Sequence, residues 1–301
     1  MHTQISTILS DYDGTLCPTT SIRSEENVIP EELDNILWDI SEKIPVCIVS
    51  SKGFSFLHRK TRFASIVSCI MGIETMRLRR HKRTTPSPLH SKEDISSDRV
   101  TECQDFSCIK NSYLPNEDIT LQHNSELLSQ LAEEITSRFK EVSIEHKFTV
   151  TRKKTLAGIT IDWRHIDDWK SFKVKSEPEL RKAIIEKQRE LQQQDRPNDI
   201  HVQTYTTHPF IDIYAVKCDK GMAYDAVISK IPITDSSTQR VMYLGDSEND
   251  NLAFRKADIS IGVKSDKRLN PKLDCKYTVK FDKLAGFLEK LHNDNFVFSG
   301  L

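Results

Sequence analysis

The chain has 301 residues, a formal net charge of −1, and 37% hydrophobic and 29% charged side chains. That length can bury one large core or two smaller ones, and the near-zero charge gives no general pull toward nucleic acid or an anionic membrane. No apolar run approaches the ~18 residues that span a bilayer, the N-terminus lacks a secretory leader's charged start and apolar core, and seven scattered cysteines suit a reducing compartment, so a cytoplasmic protein is expected.

Ile5 to Leu9 reads as a buried strand, followed by Ser10-Asp11-Tyr12-Asp13-Gly14-Thr15-Leu16. Two carboxylates this close repel unless a cation or a shared proton compensates them. One reading is a Mg²⁺ site in which Asp11 is a nucleophile and Asp13 a general acid/base. The other is a solvated Asp-Gly turn. Pro30-Glu31-Glu32 suits the first turn of a helix, with Leu33, Ile36, Leu37 and Ile40 on its apolar face. Val46 to Val49 is a second buried strand, ending at Ser50-Ser51-Lys52-Gly53. Strand, helix and strand together suggest a right-handed parallel βαβ unit. A helix from Phe54 to Arg62 and a third strand from Ile66 to Met71 follow, ending at Gly72-Ile73-Glu74.

After about Arg77 the character changes. Arg79-Arg80-His81-Lys82-Arg83 leads into polar sequence up to about Asp105. Residues 79–105 are predicted to be a long mobile loop, its basic cluster a solvated surface or a segment that docks a protein partner. Cys103 and Cys108 are read as ordinary thiols. Leu127 to Phe139 has helical spacing, and Ser143 to Val150 and Ala157 to Trp163 read as strands joined by Arg152-Lys153-Lys154. Ser176 and Pro178 suit the cap and first turn of a helix running to about Gln194. Strands over Ile200 to Thr206 and Phe210 to Val216 complete an antiparallel α+β unit. The parallel pattern then returns: a helix from Lys220 to Ile231, a strand from Arg240 to Leu244 ending at Gly245-Asp246-Ser247-Glu248-Asn249-Asp250, a helix from Asn251 to Ala257, strands at Ile259 to Val263 and Tyr277 to Val279, and a helix from Asp282 to His292.

Asp11/Asp13, Ser50, Lys220 and Asp246/Asp250 all fall at ends of α/β elements, which in an open parallel sheet converge on one crevice. Mg²⁺ takes a few hard oxygens and keeps several waters. Asp11, Asp246 and the backbone carbonyl of Asp13 are such oxygens. Lys220 and the cation would offset the repulsion between a carboxylate nucleophile and a phosphoryl group. Ser50, Ser51 and the loop N–H groups would hold the phosphoryl oxygens. Each group also has a plainer role, as strand-end hydroxyl, solvated lysine, helix cap or turn.

In this order the four clusters resemble the motifs of the haloacid dehalogenase superfamily of phosphotransferases. The resemblance implies an α/β fold: a Rossmann-like parallel sheet core with an inserted α+β cap domain. It implies Asp11 as phosphoaspartyl nucleophile, Asp13 as acid/base, and Mg²⁺ on Asp11, Asp13 and Asp246, with Asp250 supporting the metal site. The core would span 1–82 and 217–301, and the cap 83–216. The large cap resembles that of the sugar-phosphatase branch. The first motif with Pro18, and the cap strand ending Asp162-Trp163-Arg164, look like trehalose-phosphate phosphatases. Lys52 stands where that family usually has arginine. Glu248-Asn249-Asp250 looks more like sucrose-phosphate and mannosyl-phosphoglycerate phosphatases. In the cap, Lys154 and Arg164 could reach a sugar and Trp163 could stack on a pyranose, while Glu74 on the core rim could accept from a sugar hydroxyl. The expected function is a Mg²⁺-dependent phosphatase acting on a sugar-type phosphomonoester. A phosphomutase of the same fold and a non-catalytic sugar-phosphate-binding protein are the alternatives.

Overall fold

The computed structural model describes residues 2–18, 28–79, 109–113, 119–139, 145–163, 165–192, 200–206, 208–232, 239–265 and 271–301. In chain order it begins with β1 (Thr3–Gln4), β2 (Thr7–Ser10), α1 (Glu31–Ser41), β3 (Val46–Val49), α2 (Phe54–Lys60), β4 (Ile66–Cys69), β5 (Glu74–Leu78) and β6 (Ile109–Tyr113). Next come α3 (Ile119–Arg138), β7 (Glu145–Val150), β8 (Leu156–Asp162), α4 (Trp169–Gln192), β9 (His201–Thr204) and β10 (Phe210–Tyr214). The chain closes with α5 (Lys220–Ile228), β11 (Val241–Gly245), α6 (Asn251–Lys256), β12 (Ile259–Lys264), β13 (Tyr277–Lys280), α7 (Leu284–Asn293) and β14 (Val297–Phe298).

An eight-stranded sheet in the order β13-β12-β11-β2-β3-β4-β5-β6 organises the molecule. From β13 to β4 all neighbours are parallel; β5 and β6 extend the edge antiparallel. The central strands are unbroken apolar runs because both faces are covered by helices. Alternate side chains go to opposite faces. Ile8, Val46, Ile48, Val67, Met242 and Leu244 join one buried cluster with residues of α1 and α7. Leu9, Cys47, Val49, Ile66, Val241 and Tyr243 join another with Ala223, Tyr224, Val227, Ala253 and Phe254 of α5 and α6. A second, antiparallel sheet, β7-β8-β10-β9, lies within the inserted sequence. Its Ile159, Ile161, Ile211 and Ile213 are buried in one cluster with Leu128, Leu131, Ile135, Leu180 and Ile184 of α3 and α4.

Three readings of the sequence change. The strand expected over Ile66 to Met71 ends at Cys69. The chain then reverses through Ile70, Met71 and Gly72, all with positive φ (52°, 56° and 98°), into β5. An apolar turn carries no Gly/Pro/Asn punctuation before Gly72, so it read as strand. Residues 109–113, assigned to the insertion when its start was put at 83, pair with β5 in the large sheet. The α4 helix starts at Trp169, not Ser176, and carries Pro178 in its interior. Trp169 and Phe172 pack on the apolar core, which stabilises the early turns. Pro178 sits on the exposed side. There the carbonyl it leaves without an N–H partner can turn to water. Short strands β1 and β14, which the sequence reading does not include, pair with each other. Beyond the exposed Arg79, the predicted loop, with Cys103 and Cys108, lies outside the described residues. No helix among the described residues is long and apolar enough to cross a membrane.

Candidate active site

The strand order reverses at β2, which has β3 on one side and the much later β11 on the other. A crevice opens beyond the carboxyl ends of strands at such a point. Asp11 follows β2 directly and its N–H donates to the Leu244 carbonyl of β11 at 2.9 Å. The next five residues form a tight loop. Leu16 and Cys17 N–H groups both reach the Tyr12 carbonyl at 3.0 Å, and Gly14, at φ 82°, donates to the Cys17 carbonyl at 2.7 Å. Tyr12 and Leu16 are buried beneath it.

Lys220 opens α5 behind the N-cap Asp219, which accepts from Met222 N–H at 2.8 Å. Although it is a lysine, it is 1% exposed. Its Nζ lies 2.9 Å from Asp11 Oδ2 and 2.7 Å from Asp250 Oδ1. The carboxylates of Asp11, Asp246 and Asp250 each bring an oxygen within 4.8 Å of the other two, and all three residues are buried. Thr15, which sequence reasoning passed over inside the first motif, donates its hydroxyl to Asp246 Oδ1 at 3.4 Å. The structure therefore brings Asp11, Lys220, Asp246 and Asp250 together.

Burial opposes the charge on Lys220, but Asp11 and Asp250 outweigh it, so its pKa is raised and it stays an ammonium. Asp11 shows the other side of the same crowding. Burial raises its pKa, Lys220 draws it back, and Asp250 and Asp246 push it up again, leaving it well above the ordinary carboxylate range. Three carboxylates around one ammonium are an uncompensated negative cluster. Hard oxygens at this spacing fit a divalent cation such as Mg²⁺.

Asp250 is held by donors of its own. Its Oδ1 receives Lys220 Nζ and the Tyr243 hydroxyl, each at 2.7 Å. Its Oδ2 receives the N–H groups of Asp246 and Ser247, at 3.2 and 3.0 Å. A carboxylate has about four lone-pair sites, so these donors saturate it, and Asp250 supports the site rather than ligating. Asp13 stands outside the carboxylate cluster. Its carboxylate, 28% exposed, lies 3.6 Å from Lys52 Nζ, where it can exchange protons with water. Ser50, after β3, is buried; Ser51 is half-buried beside it. Ser50 N–H donates to the Ser68 carbonyl and its Oγ accepts from Lys52 N–H at 3.2 Å, which leaves the hydroxyl proton free to donate outward.

The inserted unit contributes less than expected. Trp163 cannot stack on a sugar: it is 0% exposed, in the apolar core, with Phe172 at 5.9 Å between ring centroids. Its position after an apolar strand was the clue. Arg164 lies outside the described residues. Lys154 is exposed in the β7–β8 hairpin turn with φ 66°. Glu74 lies at the end of the core sheet beside Cys69 but is fully buried there. It accepts from Arg152 N–H at 3.1 Å and lies 3.8 Å from Arg152 Nε. Burial raises its pKa, offset by the contacts with Arg152. The hairpin is thus clasped to the core. A second clasp joins the β9–β10 turn to Glu248, through Thr206 Oγ1 at 2.6 Å and His208 Nδ1 at 3.9 Å.

The family of haloacid dehalogenase-like hydrolases matches residues 8–286. No curated protein matches the chain. Among solved structures, a trehalose-6-phosphate phosphatase related protein is 16% identical with a TM-score of 0.55, over 96% of this chain and 97% of that one. The C. albicans trehalose-6-phosphate phosphatase C-terminal domain is 14% identical with a TM-score of 0.58, over 97% and 93%. That of Aspergillus fumigatus is 15% identical with a TM-score of 0.53, over 96% and 93%. At such identities the likeness is one of fold.

Proposed function

This chain belongs to the haloacid dehalogenase-like hydrolases, and from that premise we propose that it is a phosphatase of sugar-type phosphomonoesters. The observation that carries the proposal is the buried contact of Lys220 with Asp11 at the switch point of the sheet, 2.9 Å long. A carboxylate attacks phosphorus only where cationic groups offset the repulsion between anions. Lys220 does this from below. Asp11, Asp246 and the Asp13 carbonyl would hold Mg²⁺, which would supply further positive charge to offset the negative charge of the phosphoryl group.

An oxygen of Asp11 forms a bond to phosphorus while the bond to the sugar oxygen breaks. Asp13 gives that leaving oxygen its proton. Asp13, now ionised, takes a proton from water, whose oxygen attacks the phosphoaspartate and releases phosphate and free Asp11. Ser50 and Ser51 donate to the phosphoryl oxygens throughout.

The inserted sheet supports a polyol substrate. On its face away from α3 and α4, register places Lys147, Thr160, Asp212 and Gln203 in one row across all four strands. Thr160 and Tyr205 hydroxyls both donate to Asp212, at 2.6 and 2.7 Å. His201, on the same face, has its pKa lowered by burial, with the carboxylate of Asp219 at the start of α5 acting against that shift. A row of donors and acceptors suits sugar hydroxyls. The trehalose-6-phosphate phosphatases of like fold make that ester the first to try. Phosphate release should be screened with Mg²⁺ over trehalose-, sucrose-, mannosylglycerate- and hexose-phosphates. At least one sugar phosphate should turn over, EDTA should abolish turnover reversibly, and Asp11→Asn should remove it. Wild-type turnover by Asp11→Asn would overturn the reading, and isomer formation without free phosphate would favour a mutase.

A further inference from the structure

We propose that Tyr243 is a positioning residue for this reaction: it divides the charge of Asp250 so that Lys220 stays in contact with Asp11. The inference rests on the phosphatase reading. Tyr243 lies in β11, two residues before Gly245, and is 0% exposed. Its ring packs edge-on against Phe254 at 5.5 Å and lies 6.4 Å from Tyr224. That packing needs only a ring. A buried hydroxyl is costly unless it is hydrogen-bonded, and this one donates to Asp250 Oδ1 at 2.7 Å.

The same oxygen accepts Lys220 Nζ at 2.7 Å, while Lys220 also holds Asp11 at 2.9 Å. The ammonium is therefore contested by two carboxylates. Asp250 cannot shift its charge elsewhere, because its Oδ2 is pinned by Asp246 N–H and Ser247 N–H. Nor can it back away, because the space toward β11 is closed: a Cβ on Gly245 would fall 2.5 Å from Asp250 Cγ. With its position fixed, the carboxylate's pull on Lys220 depends on what else shares Oδ1. The Tyr243 hydroxyl takes part of that acceptor capacity. Without it, Oδ1 would claim the ammonium more fully and draw it off Asp11. The Tyr243 hydroxyl bonds to Asp250, so its effect runs from Asp250 through Lys220 to Asp11.

The test is Tyr243→Phe beside Tyr224→Phe, whose hydroxyl donates to the Lys256 carbonyl at 3.5 Å, outside the site. Both variants keep the ring packing. With a sugar phosphate or p-nitrophenyl phosphate, Tyr243→Phe should lower kcat on the order of tenfold with KM nearly unchanged, the loss expected for one hydrogen bond to a charged group. Tyr224→Phe should keep wild-type kcat. A Tyr243→Phe kcat within about twofold of Tyr224→Phe, or a loss that appears in KM, would overturn the inference. A crystal structure of Tyr243→Phe decides it without turnover: Lys220 Nζ should leave Asp11 for Asp250, and an unchanged contact with Asp11 counts against the role of Tyr243. An inactive wild type would instead speak against the phosphatase reading.

Discussion

Asp11 binds its proton more tightly in the folded protein than an ordinary carboxyl does, since burial opposes its charge and, against Lys220, Asp250 and Asp246 crowd it. The sign follows from linkage. A carboxyl with a raised folded pKa contributes stability below its unfolded pKa, and that contribution is lost as pH rises through the folded value. A divalent cation displaces the proton, so its binding strengthens as the proton leaves. The melting temperature gained on adding Mg²⁺, measured by differential scanning calorimetry, should therefore be larger near pH 8 than near pH 5. A gain that ignores pH would separate Asp11 from the cation. At this scale the pattern of Asp11, Lys220 and Asp246 was legible because charged side chains gathered at the ends of apolar strands and helices add nothing to the core and repel unless they share a task. Tyr243 was not, since one hydroxyl inside a buried strand looks like packing. Glu74 was misjudged because nothing local in its sequence signals burial; Trp163 was misjudged although its place after an apolar strand points to the core.

The turn Ile70-Met71-Gly72 shows what an element can hide. Left-handed backbone at Ile and Met stores strain of roughly 1–3 kcal/mol per residue, so the surroundings must enforce it. Two hydrogen bonds do so: Ile70 N–H to the Lys52 carbonyl at 3.1 Å and Met71 N–H to the Ser50 carbonyl at 3.0 Å. Gly72, at φ 98°, presses on α5, where a Cβ would fall 2.9 Å from Ala223 Cα. The turn thus ties the Ser50 loop to the helix that carries Lys220. Gly72→Ala adds both φ strain and a backbone clash, and should cost about 1–3 kcal/mol of stability in urea unfolding, together with a loss of kcat. Wild-type stability would show that the turn can relax. The parallel strands were legible as uninterrupted apolar runs, and α1 from its four-residue stripe. The start of α4 was not, because the packing of Trp169 and Phe172 overrode the cap signals at Ser176 and Pro178.

At the scale of the whole molecule, the inserted unit meets the core through Arg152–Glu74 and through Thr206 and His208 on Glu248. Each clasp joins residues far apart in the chain, and Glu248 lies two residues from Asp246. Arg152→Ala would leave Glu74 buried without its cation, which is strongly destabilising for a charge. It should loosen the hairpin. Steady-state kinetics should show KM rising roughly tenfold for a sugar phosphate, about 1.4 kcal/mol, as the ion pair with Glu74 is lost. KM for p-nitrophenyl phosphate, which has no polyol for the inserted sheet to hold, should change less. Equal changes for both would mean that the clasp does not serve the sugar.

The sequence by itself determined the parallel α/β core, the presence of an inserted α+β unit and the convergence of Asp11, Lys220 and Asp246. These follow from apolar periodicity and from the rule that polar groups at the ends of parallel strands share one crevice, both of which are local or topological. Only the tertiary structure decided that Asp250 is saturated by donors, that Glu74 is paired with Arg152, that Trp163 is core and that Ile109–Tyr113 belongs to the large sheet. Each of those depends on a partner distant in the chain, and a side chain's burial and hydrogen bonds exist only once that partner is in place.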